Sequence, residues 1–139
     1  MIGGSDASGF LDGDGRTTAR VSRFDPQSAG QWANVAPMSA PRIVAHAVPL
    51  ADGRILVTGG TDAVSGTRAL TSTEIYDPSA DRWTAAGDLQ VARTDGRAVL
   101  LADGTVLLMG GDDSYNTEGG TPFCPDPFKT AERFDPAAP

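Results

Sequence analysis

Two stretches of this sequence, LADGRILVTGG at residues 50–60 and LADGTVLLMGG at residues 101–111, are near copies of one another. Both contain Leu, Ala, Asp, Gly, Leu, Gly and Gly in the same places, and the second begins 51 positions after the first. In each repeat an Asp-Gly pair separates two segments rich in Val, Ile and Leu, the first of which begins before the quoted stretch. This pattern predicts a β-hairpin, because glycine readily adopts the positive φ of a tight turn. The chain therefore contains a repeated structural unit.

The repeat extends beyond the hairpin in both directions. Trp32 lies 27 residues before Gly59, and Trp83 lies 27 residues before Gly110. Arg42 lies ten residues after Trp32, and Arg93 lies ten residues after Trp83. An aromatic-Asp-Pro triplet occurs three times, at residues 24–26, 76–78 and 134–136. A period of about 50 residues is typical of propeller blades rather than of helical solenoids.

Each repeat is expected to form four β-strands, and no segment shows the period of a helix. The four strands of the central repeat are predicted at RIVAHAVPL, RILVTGG, STEIYDP and RWTAAG. Pro49 lies inside the first of them, which places that strand at a sheet edge, because proline cannot donate a ladder hydrogen bond. The same register predicts that His46 and Arg97 lie at corresponding positions of two repeats.

The predicted fold class is all-β, a propeller fragment of about two and a half four-stranded blades. Residues 1–41 are expected to form a partial blade that consists of the end of a second strand, a third and a fourth strand. Residues 42–92 are expected to form a complete blade. Residues 93–139 are expected to form another partial blade, whose three strands are interrupted by a long loop at 112–130.

The hairpin, the glycine pair, the aromatic-Asp-Pro triplet and the tryptophan, in this order, resemble the kelch repeat of galactose-oxidase-like and glyoxal-oxidase-like β-propellers. The resemblance implies that the strand containing Pro49 is innermost and the tryptophan strand outermost. We expect both indole rings to be buried near a glycine pair. The residues that the resemblance assigns to the structural repeat are Trp32, Gly59, Gly60, Tyr76, Asp77, Trp83, Gly110 and Gly111.

Composition excludes some classes of partner. The 139 residues include 18 acidic and 11 basic side chains, with a net charge of −7. The basic residues are spread singly, so we expect no nucleic-acid partner. No apolar run is long enough to cross a membrane, and the first 20 residues lack the pattern of a secretory signal, so we expect no membrane partner and assign no compartment. Cys124 is the only cysteine, which leaves no internal disulfide.

Five residues are candidates for ligand binding. His46 and Arg97 belong to the predicted innermost strands, and Tyr115, Phe123 and Phe128 belong to the long loop. Long loops on rigid scaffolds often carry binding residues. The structural alternative for His46 is that it is a hydrogen-bonded residue of the propeller channel. The structural alternative for the long loop is that it folds back and covers its own blade.

The resemblance also raises the question of copper, because galactose-oxidase-like enzymes hold that metal with tyrosines and histidines, one tyrosine being joined to a cysteine. This chain has one histidine, two tyrosines and one cysteine, and Tyr76 occupies a structural position of the repeat. The segment LDGDGR at residues 11–16 lacks the remaining oxygen ligands of a calcium loop. We therefore predict no catalytic residue, no metal site and no cofactor in this chain.

Two functions remain open. The favoured one is a non-catalytic propeller module that binds a protein or carbohydrate through its loops. The alternative is a fragment of a galactose oxidase-like or glyoxal oxidase-like copper-radical oxidase whose catalytic residues lie outside this chain. In either case, the missing blades are expected from a longer chain or, less favourably, from other copies, because a propeller needs at least about four blades to bury its sheet faces.

Overall fold

A computed structural model of the chain describes residues 18–26, 30–62, 69–113 and 128–137. These residues form nine β-strands, and none of them forms a helix that could span a membrane. The strands are β1 (Val21–Asp25), β2 (Gln31–Val35), β3 (His46–Pro49), β4 (Ile55–Thr58), β5 (Ser72–Asp77), β6 (Arg82–Asp88), β7 (Arg97–Leu100), β8 (Val106–Met109) and β9 (Ala131–Phe134).

The strands form three antiparallel sheets, with the orders β1-β2, β3-β4-β5-β6 and β7-β8-β9. The all-β class and the partial-propeller architecture are confirmed. The central sheet has the four strands of one blade, the first sheet has the two outer strands of a blade, and the third has three inner strands. The strand end predicted before residue 18 lies outside the described residues.

The two similar hairpins have the same register. His46 pairs with Thr58, and Arg97 pairs with Met109, so the two residues occupy corresponding positions. In both hairpins the turn glycine has a φ near +86°, as the Asp-Gly pattern predicts. Pro49 lies in β3, at the edge of its sheet, where its missing N–H leaves no gap in a central ladder.

The core consists of two layers, one on each side of the central sheet. Leu56 of β4 packs between the second and third sheets, in a cluster with Ile75, Val106 and Leu108. The next residue, Val57, points to the other face and packs with Val21 and Met38, between the first and second sheets. β4 is apolar on both faces because a neighbouring sheet covers each face.

The two tryptophans occupy equivalent positions in the outermost strands, but their burial differs. Trp83 is half-buried and packs on Tyr76 with 4.9 Å between ring centroids. Trp32 packs in the same way on Phe24, yet it is 57% exposed. The expectation that both rings are buried near glycine pairs is therefore wrong. Trp83 faces the first sheet, whereas Trp32 faces away from every described sheet.

Candidate functional site

A buried ion pair holds one end of the central blade together. Arg42 is 1% exposed, and its Nη2 lies 3.0 Å from Oε1 of Glu74. Its Nη1 donates to the carbonyl oxygens of Gly59 and Ser72, at 3.0 Å each. Burial raises the pKa of Glu74, but hydrogen bonds from the Ser39 N–H and from Arg42 lower it, and the net pKa lies below its ordinary value. The pair joins the linker before β3 to the end of β4 and the start of β5.

The third sheet repeats this ion pair. Arg93, also 1% exposed, lies with Nε 3.3 Å from Oε1 of Glu132, and its Nη1 donates to the carbonyl of Gly110 at 2.6 Å. The backbone N–H of Gln90 donates to the other carboxylate oxygen at 2.7 Å. Neither ion pair was predicted from the sequence. The identical spacing of both arginines from the tryptophans was the available signal.

The first and second sheets are joined at Ala36. Its N–H donates to Oδ1 of Asp81 at 2.9 Å, and its carbonyl accepts the indole N–H of Trp83 at 2.7 Å. The Tyr76 hydroxyl donates to the same Asp81 oxygen at 2.7 Å. Burial and this hydrogen bond raise the pKa of Tyr76 to about 12. Tyr76, Asp81 and Trp83 thus bind the segment that follows β2.

The second and third sheets are joined at the first glycine pair. Both Gly59 and Gly60 have positive φ, at 65° and 80°. The Gly60 N–H donates to the carbonyl of Arg93 at 3.0 Å, and a Cβ on Gly59 would overlap that carbonyl oxygen. Glycine is required here both by backbone conformation and by the close approach of the next blade.

His46 and Arg97 begin the two innermost strands at the end of the blades where the buried arginines lie. β3 and β7 are neighbours, and Asp95 and Arg93 also act electrostatically on His46. Burial lowers the pKa of His46, Asp95 raises it, and the two arginines lower it, so the net pKa lies below 6.5. The Nε2 of His46 is buried and has no hydrogen-bond partner among the described residues. Arg97 is exposed.

Phe128 is the one predicted loop residue that the structure describes. The guanidinium of Arg93 lies over its ring, 5.3 Å from the centroid, and its N–H donates to the carbonyl of Gly111 at 2.7 Å. Tyr115, Phe123 and Cys124 lie outside the described residues. We call His46, Arg93, Asp95, Arg97 and Phe128 the loop-end site; its binding role stays a prediction.

The backbone that leads into the loop-end site is unusual. Val44 and Asp95 occupy equivalent positions, two residues before His46 and Arg97, and both have positive φ, at 55° and 53°. Aspartate tolerates this conformation, but a β-branched residue rarely adopts it. The Thr94 hydroxyl donates to the Val44 carbonyl at 3.4 Å and links the two turns. The fold thus maintains a strained turn directly before the candidate histidine.

Metal-ligating side chains are not clustered in the part of the chain that the structure describes. Within it, no three His, Cys, Asp or Glu side chains are placed to hold one ion. Of the three residues that remain for a copper site by type, Tyr115 and Cys124 fall outside that part and His46 lies within it.

Comparisons with known proteins agree with the geometry. The Kelch motif family matches residues 42–90, which span the central sheet. Kelch-like protein 34 of Homo sapiens is 39% identical over 118 residues, which cover 84% of this chain and 17% of the relative. The galactose oxidase of Gibberella zeae is 40% identical over 60 residues, which cover 43% of this chain and 8% of that enzyme.

A solved structure shows the same fold. It is described as a novel fungal alcohol oxidase with catalytic diversity among the AA5 family, in complex with copper, and it matches with a TM-score of 0.60 and 25% identity over 70% of this chain and 22% of its own. The sheets, the repeat and these similarities define a kelch-type β-propeller, of which this chain provides part. The chain spans less than a fifth of each curated relative named here.

Proposed function

We propose that this chain is part of a non-catalytic propeller scaffold that binds another protein at the loop-end site. The observation that carries the proposal is that His46 and Arg97 begin neighbouring strands at the end of the blades from which the long loop leaves, where the Arg93 guanidinium lies over the Phe128 ring. The site combines the exposed Arg97 and the half-buried His46 with the aromatic ring of Phe128. The buried ion pairs hold the backbone there rigid. Such a combination suits protein recognition, in which arginines and aromatic side chains provide much of the binding energy.

The charge of the site suggests the chemistry of the partner. Arg97 is exposed. Among the described residues, its one side-chain hydrogen bond is from Nη1 to the carbonyl of the neighbouring Gly96, at 2.9 Å. A guanidinium offers several further N–H groups, which match a carboxylate in a bidentate arrangement. We therefore propose a partner segment that presents an acidic side chain to Arg97.

The test compares Arg97→Ala with Arg54→Ala. Arg54 is also partly exposed, but it lies in the hairpin turn at the opposite end of the central blade, paired with Asp52. Both variants lose one positive charge, so the comparison controls for the change in net charge. A partner recovered with the wild-type chain should, once purified, bind Arg97→Ala about tenfold more weakly, which corresponds to about 1.4 kcal/mol, and Arg54→Ala unchanged. Equal affinities of both variants and the wild type would refute the proposal.

A second candidate function is favoured by the similarity to two oxidases. Under it, these blades would be part of a copper-radical oxidase whose catalytic residues lie outside this chain. The full-length parent protein, loaded with copper, should then oxidise alcohols with dioxygen, giving the carbonyl product and hydrogen peroxide. Formation of hydrogen peroxide would overturn the scaffold proposal. If the copper-loaded parent protein forms no hydrogen peroxide, the oxidase function is excluded.

A further inference from the structure

Two buried polar atoms in the hairpin of β3 and β4 have no hydrogen-bond partner among the described residues. They are Nε2 of His46 and Oγ1 of Thr58, and Thr58 is fully buried. A buried polar group without a partner has lost its hydration and gained no bond in return, so native structures rarely leave one in that state. Two such atoms in one hairpin indicate a bound group that bonds both of them.

The strand register places these two side chains on the same face of the central sheet. His46 pairs directly with Thr58, two residues along each strand from the pair of Val48 with Leu56. Alternate residues of a strand share a face, and Val48 and Leu56 pack in one cluster with Val106 of the third sheet. His46 and Thr58 therefore face the third sheet, with about 5 Å between their Cβ atoms.

Arg93 provides a third buried atom without a partner, its Nη2. Its Nε lies 3.3 Å from Glu132, which pairs with Leu108 of the same apolar cluster, so the guanidinium lies on the side of the third sheet that faces the central sheet. The Arg93 carbonyl accepts the N–H of Gly60 at 3.0 Å, two residues from Thr58. The three atoms thus lie in one interface, at the end of the blades that carries the loop-end site.

Neither the repeat nor an uncovered sheet accounts for these three atoms. The central and third sheets, which form the interface, both belong to this chain and cover each other there. At the positions that correspond to His46 and Thr58, the third sheet has Arg97 and Met109. The repeat therefore does not require a hydroxyl opposite a histidine, and the pair is a property of this one interface.

The charges around the site favour a small neutral occupant. Arg93 is already paired with Glu132. Around His46, Asp95 acts electrostatically in one direction, and Arg97 and Arg93 act in the other. A buried ion would find no excess of opposite charge to offset the loss of its hydration. A water molecule carries no charge, and it can both donate and accept hydrogen bonds.

We propose that an internal water molecule binds between the central and third sheets, accepts a hydrogen bond from Nη2 of Arg93, donates one to Nε2 of His46 and shares a third with Oγ1 of Thr58. About three hydrogen bonds are usual for a buried water molecule. Because this water accepts from the guanidinium, it turns its hydrogens towards the other partners, so Nε2 is an acceptor and the neutral ring carries its hydrogen on Nδ1. The water thus fixes the tautomer of His46, whether or not a partner binds the loop-end site.

The first test is Thr58→Val, which removes the hydroxyl at nearly constant shape. Loss of a hydroxyl without a partner should raise the urea midpoint or leave it unchanged, whereas loss of a hydroxyl bound to water should lower it. Thr73→Val is the matched control, because Thr73 is 2% exposed and its hydroxyl donates directly to the Gly87 carbonyl at 2.7 Å. We expect both variants to lower the midpoint. A midpoint that falls for Thr73→Val alone would overturn the proposal.

The second test reads the tautomer of His46, which is the only histidine of the chain, so its ring nitrogens give unambiguous ¹⁵N NMR signals. At a pH where the ring is neutral, we expect the hydrogen on Nδ1. A ring with its hydrogen on Nε2 would contradict the proposed direction of the bond and overturn the proposal.

A crystal structure of the chain, with and without a bromide soak, tests the identity of the occupant. We expect density for one water molecule about 2.7–3.2 Å from both Nε2 of His46 and Oγ1 of Thr58. An anomalous bromide peak at that position would assign the site to a small anion instead. Direct contact of the two side chains without a water would also overturn the proposal.

Discussion

Replacing Gly59 and Gly110 by alanine, one at a time, separates the cost of backbone conformation from the cost of blade packing. The two glycines end equivalent hairpins and have nearly the same φ, 65° and 63°. Alanine in this left-handed region costs about 1–2 kcal/mol at either position. The backbone contribution should therefore cancel between the two variants.

The surroundings of the two glycines differ. A Cβ on Gly59 would overlap the Arg93 carbonyl oxygen, which also accepts the Gly60 N–H at 3.0 Å. A Cβ on Gly110 would have as its nearest neighbour the Phe128 carbonyl oxygen at 3.8 Å, an ordinary contact. Relief of the overlap must move two packed sheets apart, and overpacking of this kind costs a further 1–3 kcal/mol or so.

We therefore expect Gly59→Ala to lower the free energy of unfolding by about 2–5 kcal/mol and Gly110→Ala by about 1–2 kcal/mol. Urea titrations followed by tryptophan fluorescence measure both, and unchanged m-values would show that the unfolding transition is the same. Equal destabilisation would refute the reasoning, because it would mean that the close approach of the Arg93 carbonyl carries no cost. A larger loss for Gly110→Ala would refute it as well.

Three further predictions concern the two tryptophans, the buried ion pair of Arg42 with Glu74, and His46. Trp83→Ala should lower the free energy of unfolding, measured by urea titration, by about 2–3 kcal/mol, and Trp32→Ala should lower it by less than about 1 kcal/mol. The reason is that the Trp83 ring is half-buried and hydrogen-bonded to Ala36, whereas the Trp32 ring is 57% exposed. Glu74→Leu should cost about 3–5 kcal/mol because it leaves a buried Arg42 unpaired, and the double variant Glu74→Leu/Arg42→Met should cost less. The pKa of His46 is lower in the folded chain than its ordinary 6.5, so between these two pKa values the unfolded state binds more protons than the folded state. The contribution of His46 to the free energy of unfolding should therefore be constant above about pH 6.5 and fall below it. His46→Asn should remove this pH dependence.

Each of these predictions has a contradicting result. Equal losses for the two tryptophan variants would mean that the contact with Ala36 contributes nothing. A double variant as unstable as Glu74→Leu alone would show that apolar side chains cannot replace the pair. A single-histidine NMR titration with a midpoint at or above 6.5 would contradict the lowered pKa of His46.

The local architecture was predictable because each hairpin encodes its own register. An Asp-Gly turn between two apolar segments determines which residues pair, and Pro49 identifies an edge strand by its missing donor. The correspondence of His46 and Arg97 followed from the same reasoning. Phe128 was selected only because it lies in a long loop, and its contact with Arg93 was not foreseen.

The buried ion pairs show where local patterns stop being informative. Arg42 and Glu74 are separated by 32 residues, and charged residues are usually exposed, so composition alone places both at the surface. The equal spacing of Arg42 and Arg93 from the tryptophans shows that arginine belongs to the repeat. It does not identify the carboxylate that each arginine contacts, because that depends on how β4 and β5 are packed.

By itself, the sequence determined the repeat and its strands, because each depends on residues close together in the chain. The order from the innermost to the outermost strand came from the resemblance to kelch repeats, and Pro49 supported it by marking an edge strand. Tertiary structure alone decided the environment of identical residues. Trp32 and Trp83 have the same strand position, yet one is exposed and the other half-buried, and Gly59 contacts a following blade where Gly110 does not. The physical reason is that a blade buries its faces only against another sheet, and the presence of that sheet is a property of the assembled fold rather than of the repeat.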